Sequence, residues 1–204
     1  MTTSPKFCIY GAGAIGSTIA TLLARAGAAV HVIARGETLA ALKREGLRLI
    51  IDGEMLQADV QVSADPAEPS PQDYVIIAVK APSLAEVAAR IGPLLGPETA
   101  VVTAMNGVPW WFFAGTAGPL ADERLTAVDT VSADDVIAIA RTLRDFKTSM
   151  LQDAEHGKPV EIDALLTATR DIGQMVGVPT PFIDSVLGLA RLRAISLGLL
   201  DRAA

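Results

Sequence analysis

The sequence predicts an α/β fold: a doubly wound parallel sheet followed by a short all-helical C-terminal part. Three observations carry that expectation. Short apolar, β-prone runs alternate with helical segments as far as Leu125. A glycine cluster, Gly11-Ala12-Gly13-Ala14-Ile15-Gly16, joins the first of these runs to the first helix. Beyond Leu125 only helical patterns recur. Strand and helix in alternation form a parallel sheet covered on both faces, whereas consecutive helices form a separate layer.

Each element follows from local chemistry. Lys6 to Tyr10 is apolar and ends at the glycines. Ile15 to Ala26 reads as a helix with Ile15, Ile19, Leu22 and Leu23 on one side and Gly27 just past its end. Ala29 to Ala34 carries Val30, Val32 and Ile33, a run suited to a strand buried on both faces. Glu37 to Glu45 is an Ala/Leu-rich helix stopped by Gly46. Leu47 to Ile51 and Met55 to Val62 flank Asp52-Gly53, a hairpin turn signal. Prolines 66, 69 and 71 mark a loop before the strand Tyr74 to Val79. A helix Leu84 to Ile91 and a strand Ala100 to Ala104 follow.

In the second part Ser132 can cap a helix from Ala133 towards Lys147. Another helix spans Glu161 to Val176 and ends at Gly177. A third opens with Thr180 as cap and Pro181 at its first position and runs to about Leu200. The expected division is 1–127 for the Rossmann-like dinucleotide-binding domain and 128–204 for a short helical substrate and dimerisation domain. The latter is small for independent stability.

Composition narrows the function classes. Half of the 204 residues are hydrophobic and 20% are charged, which argues against disorder. A net charge of -6 leaves no basic face for nucleic acid. No signal-peptide run opens the chain, and no apolar stretch reaches membrane-span length before a charge, Gly or Pro interrupts it. Cys8 is the single cysteine, so a reducing, cytoplasmic setting is expected, with Cys8 itself in the core.

The glycine cluster follows a strand and opens a helix, the context that gives Gly-x-Gly-x-x-Gly meaning. Gly11 permits the tight turn, Gly13 lets backbone N–H groups approach a diphosphate, and Gly16 lets helix and strand pack closely. The second strand ends in Ile33-Ala34-Arg35-Gly36. Where a carboxylate would bind the ribose 2′-hydroxyl of NAD, Arg35 instead suits the 2′-phosphate of NADP; otherwise it is a solvated arginine at a helix start. The cofactor expected is NADP(H). Two further strand ends, Ala78-Val79-Lys80-Ala81-Pro82 and Met105-Asn106-Gly107-Val108-Pro109, should border it. Four of the nine aromatic residues, Trp110 to Phe113, read as core or interface rather than as a substrate wall. Ser149 reads as an exposed helix serine, Glu161 as a carboxylate favoured at a helix N-terminus, and Asp163 as a first-turn residue. Nothing pairs His31 or His156 with a nucleophile, and no metal-ligand cluster stands out.

Taken together, these blocks resemble the ketopantoate reductase (2-dehydropantoate 2-reductase) family. The matching residues are the Gly11 to Gly16 turn, Arg35, Val79-Lys80 and Asn106-Gly107-Val108-Pro109. Further on, Lys147 to Asp153, Glu161-Ile162-Asp163 and Gly177 to Pro181 also match. The resemblance implies NADPH-dependent reduction of a 2-keto acid to a 2-hydroxy acid, as in pantothenate biosynthesis. It implies that Gly11, Ala12, Gly13, Ala14, Ile15, Gly16, Arg35, Lys80, Asn106 and Glu161 hold the cofactor, and that Asn106 and Ser149 meet the substrate.

The family pattern breaks between about Ala127 and Ser132. In the family a lysine and several asparagines on helices of a middle region supply the proton donor and the substrate's cation. No position here matches them, so no catalytic residue is assigned; Asn106 is the only asparagine in the chain. Without that region a sheet edge and one face of the terminal helices should be exposed, and the chain should form a homo-oligomer or be marginally stable. The competing reading is a catalytically impaired relative that only binds NADP(H). A third reading, another β-hydroxyacid dehydrogenase type, is weakened because Lys147 and Lys158, the only lysines after Lys80, lack an apolar helix context.

Overall fold

The computed structural model describes residues 4–51, 53–107 and 147–200. The chain forms two compact units, Met1–Met105 and Asn106–Ala204. The expected helix from Ala133, the aromatic run Trp110 to Phe113 and the expected boundary at 127/128 lie outside the described residues.

The first unit is built on a five-stranded sheet of order β5-β2-β1-β6-β7, every pair parallel. Strand β1 (Lys6–Tyr10) is central, with β2 (Ala29–Ile33) on one side and β6 (Gln72–Ile77) on the other. Helix α1 (Ala14–Arg25) joins β1 to β2, and α2 (Gly36–Glu45) follows β2. Alternate residues face opposite ways, so a strand buried on both faces must be apolar throughout. Cys8, Tyr10, Ile33, Val75 and Ile77 pack on one face under Val87 of α3 (Leu84–Arg90). Ile9, Val30 and Val32 pack on the other against Ala20 of α1 and Leu47 of the hairpin.

That hairpin pairs β3 (Leu47–Ile51) with β4 (Glu54–Ala58), Gly53 taking φ 83° at the turn. The single strand expected from Met55 to Val62 is therefore divided. After Ala58 the chain leaves the hairpin, and β5 (Gln61–Ser63) adds to the parallel sheet with Gln61 opposite His31. The break falls at Asp59-Val60, where the strand-disfavouring Asp59 stands between two pairing partners. Strand β7 (Leu95–Thr103) likewise begins earlier than expected, because Thr99 ties its irregular start to β6. The Gly96 N–H donates to Thr99 Oγ1 at 2.7 Å, and that hydroxyl donates to Gln72 O.

Helix α1 is also turned relative to expectation. Gly16, Ala20 and Thr21 face inward, while Ile15 and Leu22 are 59% and 48% exposed. Close approach of α1 to the strands selects its small residues for the contact and pushes these two large ones outward.

In the second unit, α4 (Ser149–Glu155) supplies the helix that the reading of Ser149 as an exposed helix serine implied, without bounds having been expected for it. Thr148 caps it, Oγ1 accepting the Leu151 N–H at 3.3 Å. The helix expected over Glu161 to Val176 consists of a π-helical turn, Asp163–Thr167, leading into α5 (Ala168–Met175), which Gly177 at φ 71° ends. Helix α6 (Pro181–Ser196) starts with Pro181 as expected but stops before Leu200, where Gly198 takes φ 70°. Thr180 does not cap it through its side chain; its hydroxyl lies 3.5 Å from Asp184 Oδ1. Ile162, Leu187, Ala194 and Leu199 form this unit's core. Among the described residues 147–200 there is no strand.

Candidate functional site

The carboxyl ends of β1, β2 and β6 surround a cavity of about 270 Å³. The chain diverges to the two sides of β1, towards β2 and towards β6, and ligands of such sheets bind at that divergence. Backbone bonds extend the ladder just past the strand ends: Gly11 N donates to Ile33 O and Ala78 N to Tyr10 O, both at 2.9 Å.

The three glycines of the turn answer to different demands. Gly11 takes φ 107°, and a Cβ there would meet Ala78 O at 2.6 Å. A Cβ on Gly16 would lie 1.9 Å from Gly11 O, so helix and turn can close only on a glycine. At Gly13 a Cβ would meet nothing within 4 Å. Neither packing nor a positive φ requires a glycine there, where Gly13 is the N-cap of α1 with φ -73° and ψ -173°. What its bare backbone provides is access to the first N–H groups of α1, at Ala14, Ile15 and Gly16, which have no intrahelical acceptor. Ala12 and Gly13 border the cavity. A dinucleotide diphosphate fits this cradle, and a side chain at position 13 would intrude on it.

Arg35 also borders the cavity, as the N-cap of α2. A cation at a helix N-terminus opposes the helix dipole, so Arg35 does not serve the helix. Its guanidinium turns to α3 instead, Nη1 lying 2.5 Å from Glu86 Oε2 and Nη2 3.4 Å from Ser83 Oγ. Glu86 in turn lies 3.9 Å from Arg90 Nη1, and Arg90 donates to Ala64 O at 3.3 Å. Ser83, Glu86 and Arg90 all border the cavity, and the sequence reading had not singled them out. Their spacing puts them on one helix face, but nothing in it says that this face meets Arg35.

Lys80 lies in the same wall, just past β6, where it precedes the 3-10 turn Ala81–Ser83. Tyr10, 7% exposed, forms part of the floor. Burial pushes its phenol above the ordinary value, partly offset by the nearby Arg90 guanidinium. Cys8, beneath it, is fully buried and its thiol is pushed up to about 12 by that burial, which makes it an inert core residue.

The remaining candidates belong to the second unit. Asn106 is exposed, and the following Gly107 takes φ 98° with its Cβ direction 2.9 Å from Ala164 O. The Asn-Gly loop therefore sits on the π turn that starts two residues after Glu161. Glu161 is half-buried next to the core residue Ile162, and Ser149 is the exposed first residue of α4. Asp163 is a first-turn residue as expected, with partners that spacing did not reveal: Thr167 Oγ1 at 2.7 Å and Arg191 Nη2 at 2.6 Å. Among the described residues, no group of three or more His, Cys, Asp or Glu could hold a metal ion, and no helix is long and apolar enough to cross a membrane.

Comparison with known proteins gives the family. The family described as Ketopantoate reductase PanE/ApbA matches residues 7–110, and its C-terminal counterpart matches residues 85–194. A 2-dehydropantoate 2-reductase of Mesorhizobium japonicum is 31% identical over 322 aligned positions, taking in 95% of this chain and 99% of the relative. A glycerol-3-phosphate dehydrogenase (NAD(P)+) of Rhodopseudomonas palustris is 30% identical over 109 residues, covering 53% of this chain and 33% of that enzyme. Among solved structures, one assigned as a ketopantoate reductase from Ralstonia solanacearum MolK2 has 31% identity and a TM-score of 0.80. It covers 97% of this chain and 100% of that one. On its sequence, its parallel sheet and its helical second unit, the chain belongs to the ketopantoate reductase PanE/ApbA family.

Proposed function

We propose that the chain binds NADP(H) at the Gly11–Gly16 turn and reduces a 2-keto acid of the 2-dehydropantoate type, the step that serves pantothenate biosynthesis. The observation that carries this reading is the open cradle at Gly13, in one cavity with Arg35. The N–H groups at the start of α1 hold the diphosphate, and Arg35 pairs with the 2′-phosphate through a planar guanidinium. Bound NADPH supplies the hydride. Lys80 stands at the strand end beside this cavity, and the family pattern gives Asn106 and Ser149 to the substrate and Asn106 and Glu161 to the cofactor. The single buried thiol of Cys8 supports a reducing, cytoplasmic setting.

A second reading rests on length. The Mesorhizobium relative aligns over 322 positions, whereas this chain has 204 residues, so a long stretch of that relative has no counterpart here. On this reading the chain binds NADP(H) without turning it over. Titrating NADPH by its fluorescence, then following its oxidation at saturating ketopantoate, separates the two. Oxidation supports the enzyme, and binding without oxidation supports the binding module. Arg35→Ala is expected to weaken NADPH by about tenfold or more, the scale of a charge-assisted contact, and NADH little. Equal losses for both nucleotides overturn the NADP assignment. We also propose that the chain associates with copies of itself through apolar surface left uncovered.

A further inference from the structure

The charge cluster over the cavity contains a carboxylate between two guanidinium groups. Glu86 is 2.5 Å from Arg35 through Oε2 and 3.9 Å from Arg90 through Oε1. An anion thus already stands where two cations converge, at the rim of a cavity that also holds the glycine cradle. Stability does not account for the arrangement. The side chains of Arg35 and Glu86 are 65% and 48% exposed, and ion pairs that open to water contribute little. Arg90 is held apart from Glu86 as well, by Ala64 O at 3.3 Å and by Asp65 at 4.0 Å, so its guanidinium remains in position if Glu86 swings away.

We infer that Glu86 is an internal competitor for the 2′-phosphate: its carboxylate takes the place beside Arg35 that the phosphate needs and is displaced by it, leaving the phosphate between Arg35 and Arg90. The inference rests on the NADP(H) reading above and adds two residues to it. A phosphate monoester carries more charge than a carboxylate and offers three acceptor oxygens, so it can engage both guanidinium groups and the Ser83 hydroxyl beside Arg35. NADH, with a neutral 2′-hydroxyl, has nothing to exchange for Glu86 and leaves the Arg35–Glu86 pair closed. Glu86 therefore lowers NADPH affinity below what the two arginines alone would give, and so tempers the preference for NADPH over NADH.

The test is titration of the full chain with NADPH and with NADH, as wild type, Glu86→Gln, Arg90→Ala and Arg35→Ala, each checked for folding by circular dichroism. Removing the competing carboxylate is expected to tighten NADPH by about two- to fivefold, the scale of an exposed ion pair, and to leave NADH unchanged. Losing Arg90 is expected to weaken NADPH by about tenfold with NADH again unchanged. If Glu86→Gln leaves NADPH unchanged or weakens NADH, Glu86 is not a competitor; weaker NADH would make it an acceptor for the ribose hydroxyl. If Arg90→Ala lowers both nucleotides equally, Arg90 is not the second cation. Either result overturns this inference while a selective Arg35→Ala loss leaves the NADP(H) reading intact. Wild-type protein that binds neither nucleotide, or binds NADPH without dependence on Arg35, overturns both.

Discussion

Gly13 and Gly16 are three residues apart, yet one faces empty space and the other faces a carbonyl oxygen. Their alanine variants should behave in opposite ways. Gly16→Ala places a methyl group against Gly11 O and is expected to cost about 1–3 kcal/mol in stability, read from chemical denaturation. Gly13→Ala meets nothing and should leave the melting temperature within error, while NADPH binding weakens because the methyl group blocks the α1 N–H groups. A Gly13→Ala protein that binds NADPH normally would show that the first N–H groups of α1 do not hold the diphosphate. His31 offers a test by pH. It is 8% exposed in β2, its Nδ1–H donating to Gln61 Oε1 at 3.3 Å while Nε2 is buried without a partner. Burial holds its pKa below the ordinary histidine value of about 6.5, with the Gln61 contact opposing. The folded state thus prefers the neutral ring, and below that value the unfolded chain takes up the proton more readily. Stability attributable to His31 is complete above about pH 6.5 and falls as the pH drops through and below it. Substituting His31→Phe should flatten that acid limb in denaturant melts at pH 5 to 7; an unchanged slope assigns the loss to other groups.

Elements were legible in the sequence where one force dominated. Strand β1, helix α1 and strand β2 follow from an apolar run, a glycine turn and β-branched residues, each sufficient by itself. Legibility failed where two partners competed. The stretch from Met55 to Val62 is divided between an antiparallel hairpin and a parallel sheet, and a lone Asp59 at the break does not by itself tell a loop from an exposed strand position. The glycine cradle and Arg35 could be read because backbone conformation and strand order determine them. Glu86 and Arg90 could not, since an i, i+4 acidic–basic pair looks the same on any solvated helix. Thr148 illustrates a cap that local sequence permits and the structure uses. Its hydroxyl holds the first turn of α4, whose first residue is Ser149. Thr148→Ala should destabilise that helix by about 1 kcal/mol, visible as faster amide exchange at Leu151 with little change in the first unit. Unchanged protection at Leu151 would show that the turn is held by packing instead.

At the scale of the whole molecule, the described residues leave apolar surface open in both units. In β7, Val101 and Val102 are each about half exposed, while α6 presents Phe182, Leu189 and Leu192 to solvent at 86%, 70% and 67%. Faces of that kind drive association. The chain should elute in size-exclusion chromatography as an oligomer that dissociates on dilution, and Leu189→Lys combined with Leu192→Lys should shift it towards monomer. A concentration-independent monomer in the wild type would count against the association proposed above. The order of the strands has another consequence, for the chain as it is made. Strand β1 is synthesised first yet lies at the centre of the sheet, and its second neighbour, β6, is not complete until Ile77. The Lys6 N–H bond to Asp73 Oδ2 spans 67 residues of chain. During synthesis the middle of the sheet must therefore wait, with one edge of β1 unpaired, until most of the first unit has left the ribosome. Parallel pairings with such long loops form slowly. In a nascent chain the apolar residues at 7 to 10 would stay open to a chaperone through that interval, and closing β6 onto β1 would be the step that ends the exposure.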